Sequence, residues 1–181
     1  MVVLSASCAE PPNKEMNQAQ GALDAARAAG ADTFATAEFK AAEEALRKSE
    51  EAVTAGDYRQ ALNHALDSRE RAQTAAKMAV DGRAEARGQA ERAITEVATL
   101  LSRAQTELKD PDVVRLGARD LKAPRAIMTK VDGMLQDARK ALASENYAAV
   151  ATALNGAAAQ LQAALNELDG AVAPKTAPRK R

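Results

Sequence analysis

Between Pro12 and Pro111 the chain contains no proline. Proline fixes φ and lacks an amide donor, so its absence over 98 consecutive residues leaves nothing that must interrupt a helix. The same interval is rich in Ala, Glu, Lys, Arg, Gln and Leu, the strongest helix formers. An all-α fold follows: antiparallel helical hairpins forming an elongated bundle or coiled coil with one long central helix.

Alanine decides how such helices can pack. It supplies 46 of the 181 residues, and Phe34, Phe39, Tyr58 and Tyr147 are the only aromatics. Buried apolar area stabilises by roughly 25 cal/mol per Å², so methyl-sized side chains contribute little each unless the helices approach closely. Long, close-packed helices are expected. Lys and Arg total 25 and Asp and Glu total 25, so no net charge draws the chain toward nucleic acid.

Gly30 and Gly56 stand where two helices should stop. The first helix is predicted from about Asn13 to Ala29 and the second from about Thr36 to Ala55. In the second, Ala35, Phe39, Ala42, Leu46, Ser49 and Val53 share one seam, while Glu43, Glu44, Arg47, Lys48, Glu50 and Glu51 point to solvent. Gly56 ends it, Asp57 with Gln60 resembles a capping box, and Tyr58 is the first large residue of the third helix, placed to latch the turn. That helix has no strong stop before Asp110-Pro111, so it reaches about 53 residues, or roughly 80 Å at 1.5 Å per residue. Gly82 and Gly88 each weaken it by about 1 kcal/mol and allow a bend.

Ile94, Val97, Leu101, Ala104 and Leu108 form a second seam on the long helix. Asp110 and Pro111 read as a cap and first helical residue, and Pro124 as an interruption or kink. Ile127, Val131, Met134, Ala138 and Ala141 make the seam of the next helix. Glu145-Asn146-Tyr147 is the following turn. A last helix carries Tyr147, Val150, Leu154, Ala157, Leu161, Ala164 and Leu168 to a stop at Gly170. A shift of 89 residues lays Asp57-Tyr58 on Asn146-Tyr147 and Leu46 on Leu135. This echo fits a duplicated hairpin, or two hairpins that reached the same turn chemistry independently.

Residues 1–8, Met-Val-Val-Leu-Ser-Ala-Ser-Cys, are an apolar run ending in small residues before the only cysteine. They resemble the end of a bacterial lipoprotein signal, with Cys8 as the lipid attachment residue. Ser5 stands where leucine is usual, and a basic n-region and full-length apolar region are expected upstream of Met1. The chain then divides into the signal remnant (1–8), a Pro-rich spacer (9–13), an N-terminal helical bundle (14–90) and a C-terminal hairpin sharing the long helix (91–170). A basic tail follows (171–181), expected to be disordered.

One cysteine excludes an intramolecular disulfide and a thiolate-rich zinc site. His64 is the only histidine, and reads as a partly exposed helix residue. No phosphate loop, nucleophile elbow or zincin pattern occurs, since Gly82-x5-Gly88 lacks the Lys-Ser/Thr ending and follows no strand. No catalytic residue, metal or cofactor is expected, and no small-molecule substrate.

From Cys8 to about Val80 the chain resembles a family of small alanine-rich bacterial envelope lipoproteins carrying a helical domain of unknown function. The matching residues are Cys8 with Pro11-Pro12, Gly30-Ala31, Glu38-Phe39, Ala42, Leu46, Ala52, Gly56-Asp57-Tyr58, Ala61 and Ala65. Where such proteins often have Tyr-Ala-Pro, this chain has Phe34-Ala35-Thr36. The resemblance implies a helical bundle in the cell envelope, lipid-anchored at Cys8 and facing the periplasm, with no catalytic residue. The expected function is a non-enzymatic scaffold, spacer or interaction module whose partners are the membrane and an envelope protein or cell-wall polymer. The alternative is a cytoplasmic helical adaptor or homo-oligomeric coiled coil.

Overall fold

Proline, with its fixed φ, and glycine, free to turn left-handed, set several of the helix limits. The computed structural model describes residues 10–172, so Cys8 and residues 173–181 of the basic tail lie outside the described residues. In chain order the helices are α1 (Asn13–Ala28), α2 (Ala31–Phe34), α3 (Thr36–Thr54), α4 (Tyr58–Glu107), α5 (Pro111–Val114), α6 (Lys122–Ala143), α7 (Tyr147–Ala153) and α8 (Ala157–Val172). Among the described residues there is no strand. The fold is all-α, and α4 is one continuous helix through both Gly82 and Gly88. The chain forms two compact units that divide after Glu85, within α4.

The first unit packs α1, α2, α3 and the N-terminal part of α4. Apart from Leu23, Phe39 and Leu46, every buried residue of its core cluster is alanine, from Ala19 and Ala26 on α1 to Ala72, Ala75 and Ala79 on α4. Two hydroxyls tie α3 to α4 directly: Ser49 donates to the Ala61 carbonyl at 2.7 Å and Ser68 to the Ala42 carbonyl at 2.8 Å. Both serines are fully buried. A hydroxyl reaches a neighbouring helix's backbone only when the two backbones lie close, and alanine at 42, 61, 65 and 72 permits that approach. The α3 seam holds as far as Ser49. Beyond it Ala52 is buried and Val53 only half-buried: the contact shifts to the flank of α3 that carries Ala45 and, seven residues on, Ala52.

Glycine on α4 has different meanings at its two positions. A Cβ at Gly82 would lie 3.0 Å from the Phe34 carbonyl oxygen and 3.2 Å from the Phe34 Cβ. Gly82 is therefore the site where the α2 backbone docks on the long helix. A Cβ at Gly88 would meet only the flexible Arg92 side chain, at 3.3 Å. Gly82→Ala is expected to lower stability by about 1–2 kcal/mol despite its better helix propensity, because backbone must move. Gly88→Ala should raise it by about 0.5–1 kcal/mol. Thermal melts of the two variants check both signs.

The second unit has a heavier core. Ile94, Val97 and Leu101 of α4 pack with Val131 and Leu135 of α6, Val150 of α7, and Leu161, Leu165 and Leu168 of α8. Asp110 caps α5 through the Asp112 amide at 2.9 Å, with Pro111 as its first residue. Pro124 does not interrupt a helix: it is buried in the first turn of α6, where no intrahelical donor is needed. The centre of the buried α6 face is Met128, Val131, Leu135 and Ala138, with Ile127, Met134 and Ala141 on its flank. The helix expected from Tyr147 to Gly170 is two helices, broken where Gly156 adopts φ +72°. α8 then runs through Gly170 to Val172, so Ala171 and Val172 belong to a helix rather than to the tail.

Candidate functional site

The turn between α3 and α4 is built from three backbone hydrogen bonds and one side chain. Ala55 N–H donates to the Glu51 carbonyl, Gly56 N–H to Val53 and Asp57 N–H to Ala52, at 3.0, 3.0 and 2.9 Å. With Gly56 at φ +75°, the last two bonds form a Schellman closure. Asp57 then caps α4 by accepting the Gln60 amide at 3.0 Å. The capping box is half formed, because the Asp57 amide is already committed to Ala52. Tyr58 is half-buried as α4 begins.

The turn between α6 and α7 repeats this bond for bond. Glu145 N–H donates to the Leu142 carbonyl at 3.0 Å, Asn146 N–H to Ala141 at 2.9 Å, and Asn146 Oδ1 accepts the Ala149 amide at 3.1 Å. Tyr147 is half-buried and packs on the core of its own unit. The difference is at the left-handed position, where Glu145 sits at φ +56° in place of glycine. An L side chain strains that conformation by about 1–2 kcal/mol. Glu145→Gly is expected to raise the stability of the second unit by about 0.5–1 kcal/mol, read from the shift of its urea midpoint.

The α2 region forms a second node. Arg83 of α4 donates to the Ala29 carbonyl at 3.0 Å, satisfying the end of α1, and its guanidinium stands 5.8 Å from the centre of the Phe34 ring. Gly30, at φ +88°, carries the chain round beneath it: a Cβ there would lie 2.9 Å from Arg83 Nη2. On the neighbouring face Arg27 pairs with Glu43 at 2.9 Å and covers the Phe39 ring at 5.2 Å.

Charged groups elsewhere pair along exposed helix faces. Arg47 bridges Glu44 and Glu51, and its hydrogen bond holds the Glu44 carboxyl below its ordinary value. The stabilisation this represents is present at neutral pH and lost as the pH falls through the carboxylate range. Arg71 joins Asp67 and Glu38 at 3.0 and 3.1 Å and is held above its ordinary value, first by the Asp67 hydrogen bond. His64 is half-buried beside this set, in a shallow groove with Glu44, Lys48, Asp67 and Arg71. In the second unit an open groove of about 650 Å³ is lined by Ile94, Ala98, Arg103 and Arg139 with a row of hydroxyls. Of those hydroxyls, Thr95, Thr99 and Thr106 bond back to carbonyls of their own helix. Among the described residues every buried side-chain nitrogen and oxygen has a hydrogen-bond partner. No group of His, Cys, Asp or Glu there is placed to hold a metal ion, and no helix is long and apolar enough to cross a membrane.

The two turns, the Phe34–Gly82 contact and the paired arginines are each accounted for by helix termination and helix packing. Residues 14–100 match the DUF4398 family, a domain of unknown function. The matched stretch covers α1 to α3 and α4 as far as Leu100, and so includes Gly56-Asp57-Tyr58 and the Phe34–Gly82 contact. It begins after Cys8 and ends before Asn146-Tyr147. No curated protein and no solved structure matches the chain.

Ser68, Gly156 and the α2 turn carried no expectation from the sequence, and Glu145 stood in an expected turn without its left-handed backbone. Asn155-Gly156 carried a usable signal, as a turn dipeptide. Ser68 lies four and three residues from Ala72 and Ala65, on the same seam.

Proposed function

We propose that the protein is a non-enzymatic lipoprotein of the cell envelope, anchored through a lipid on Cys8 and presenting its DUF4398 domain in the periplasm as a scaffold or spacer for an envelope partner. The observation that carries this reading is the arrangement of residues 1–13: an apolar run, small residues before a single cysteine, then a short proline spacer leading directly into α1. The character of the domain supports it. Its core is sealed by alanine and two internally bonded serines, and its charged groups pair along solvent-facing rows. Such a body suits recognition by its outer faces.

The anchor makes a direct prediction for the protein expressed from its full gene. Wild-type protein should sediment with membranes and resist extraction by salt, whereas Cys8→Ser should move it to the fraction that does not sediment. Equal partitioning of the two forms would refute the anchor.

A further inference from the structure

We propose that the end of the first unit carrying the α3–α4 turn is its lipid-facing surface, and that the α2 end points away from the bilayer; this rests on Cys8 being the attachment residue. The reach of the tether fixes this orientation. α1 and α4 run in the same direction, since Gln18 Oε1 accepts from Arg69 at 2.7 Å and the Ala29 carbonyl from Arg83 at 3.0 Å. These pairs set α1 against α4 with offsets of 51 and 54 residues. Carried back to Asn13, they place the start of α1 level with residues 64–67. That level is roughly 9–14 Å along α4 from Tyr58, at 1.5 Å per residue.

Cys8 is five residues before Asn13, a span of at most roughly 17 Å even when fully extended. The turn at Gly56-Asp57 lies within that reach. The α2 end does not, because α1 itself occupies 16 residues, or roughly 24 Å, in the opposite direction. Thr54, Ala55, Gly56, Asp57 and Arg59 at the near end are exposed, and a Cβ at Gly56 would have nothing within 4 Å. Asp57 and Arg59 carry opposite charges, so the tether rather than charge attraction sets the orientation. Tethering holds this surface at high effective concentration beside the headgroups, where even weak contacts are occupied.

The chain contains no tryptophan and Cys8 is its only cysteine, which supplies a clean test. Full-length protein is coupled through Cys8 to a maleimide phospholipid in phosphatidylcholine vesicles that carry a nitroxide-headgroup lipid, with one tryptophan introduced as Thr54→Trp or as Thr33→Trp. The Thr54→Trp emission should be largely quenched and the Thr33→Trp emission retained. Equal quenching, or stronger quenching at position 33, would overturn the orientation. Ala55→Trp and Asp32→Trp repeat the comparison should either first variant lose its helical circular dichroism. An unmodified Cys8 in protein isolated from cells would instead overturn the anchor on which the orientation depends, and that result is obtained independently of the vesicles.

Discussion

Replacing Leu161 by alanine is expected to destabilise the second unit by about 4 kcal/mol. The side chain is fully buried on α8, in a cluster that includes Val131, Leu135, Val150 and Leu165. Truncation removes three heavy atoms from contact and leaves a cavity among branched side chains that cannot collapse without leaving their rotamers. Urea unfolding followed by circular dichroism measures the loss. Val114→Ala serves as the internal control: Val114 is 60% exposed, so its truncation should cost less than about 0.5 kcal/mol.

The first unit should fail in the opposite direction. Ala72→Leu is expected to lower its stability by about 3 kcal/mol. Ala72 has no exposed surface, and the buried serine bonds from Ser49 to Ala61 and from Ser68 to Ala42 hold α3 and α4 at a separation only small side chains tolerate. A leucine there must either part the helices, breaking both bonds, or enter a strained rotamer. The same replacement at Ala84, which is exposed on α4, should change stability by less than about 0.5 kcal/mol. An Ala72→Leu variant as stable as wild type would show that the α3–α4 interface is loosely packed.

These opposite sensitivities explain what was and was not legible in the sequence. Helix limits were legible wherever one residue forces them: Pro12 before α1, Gly30 and Gly56 at left-handed stops, Asp110-Pro111 before α5. Seam phase was legible where large apolar residues stand alone, as at Ile94 and Val97. It was ambiguous on α6, where Ile127-Met128 and Met134-Leu135 are adjacent apolar pairs, so that two phases differing by one residue fit the pattern equally well. Tertiary packing chose Met128 and Leu135 for the interior. Alanine adds to the ambiguity, since it lies on buried and exposed faces alike and gives little hydrophobic contrast.

The functional elements were legible only as turn chemistry. Gly56-Asp57-Tyr58 reads correctly as a stop and a cap because glycine and aspartate act on their own backbone neighbours. Gly82 could not be read this way. Its importance comes from the Phe34 backbone, far away in sequence, and a glycine inside a helix looks like a weakness until its partner is known. The left-handed backbone of Glu145 was hidden for a similar reason: its side chain requires no such conformation, and the Schellman closure between α6 and α7 imposes it.

The functional account depends on the chemistry of one atom, Cys8 Sγ. Protein made from its complete gene in its own host, digested and examined by intact-peptide mass spectrometry, tests it most directly. The account predicts that the mature chain begins at Cys8 and carries a lipid on the sulfur. A peptide that retains Ser7 before an unmodified Cys8 thiol would contradict it.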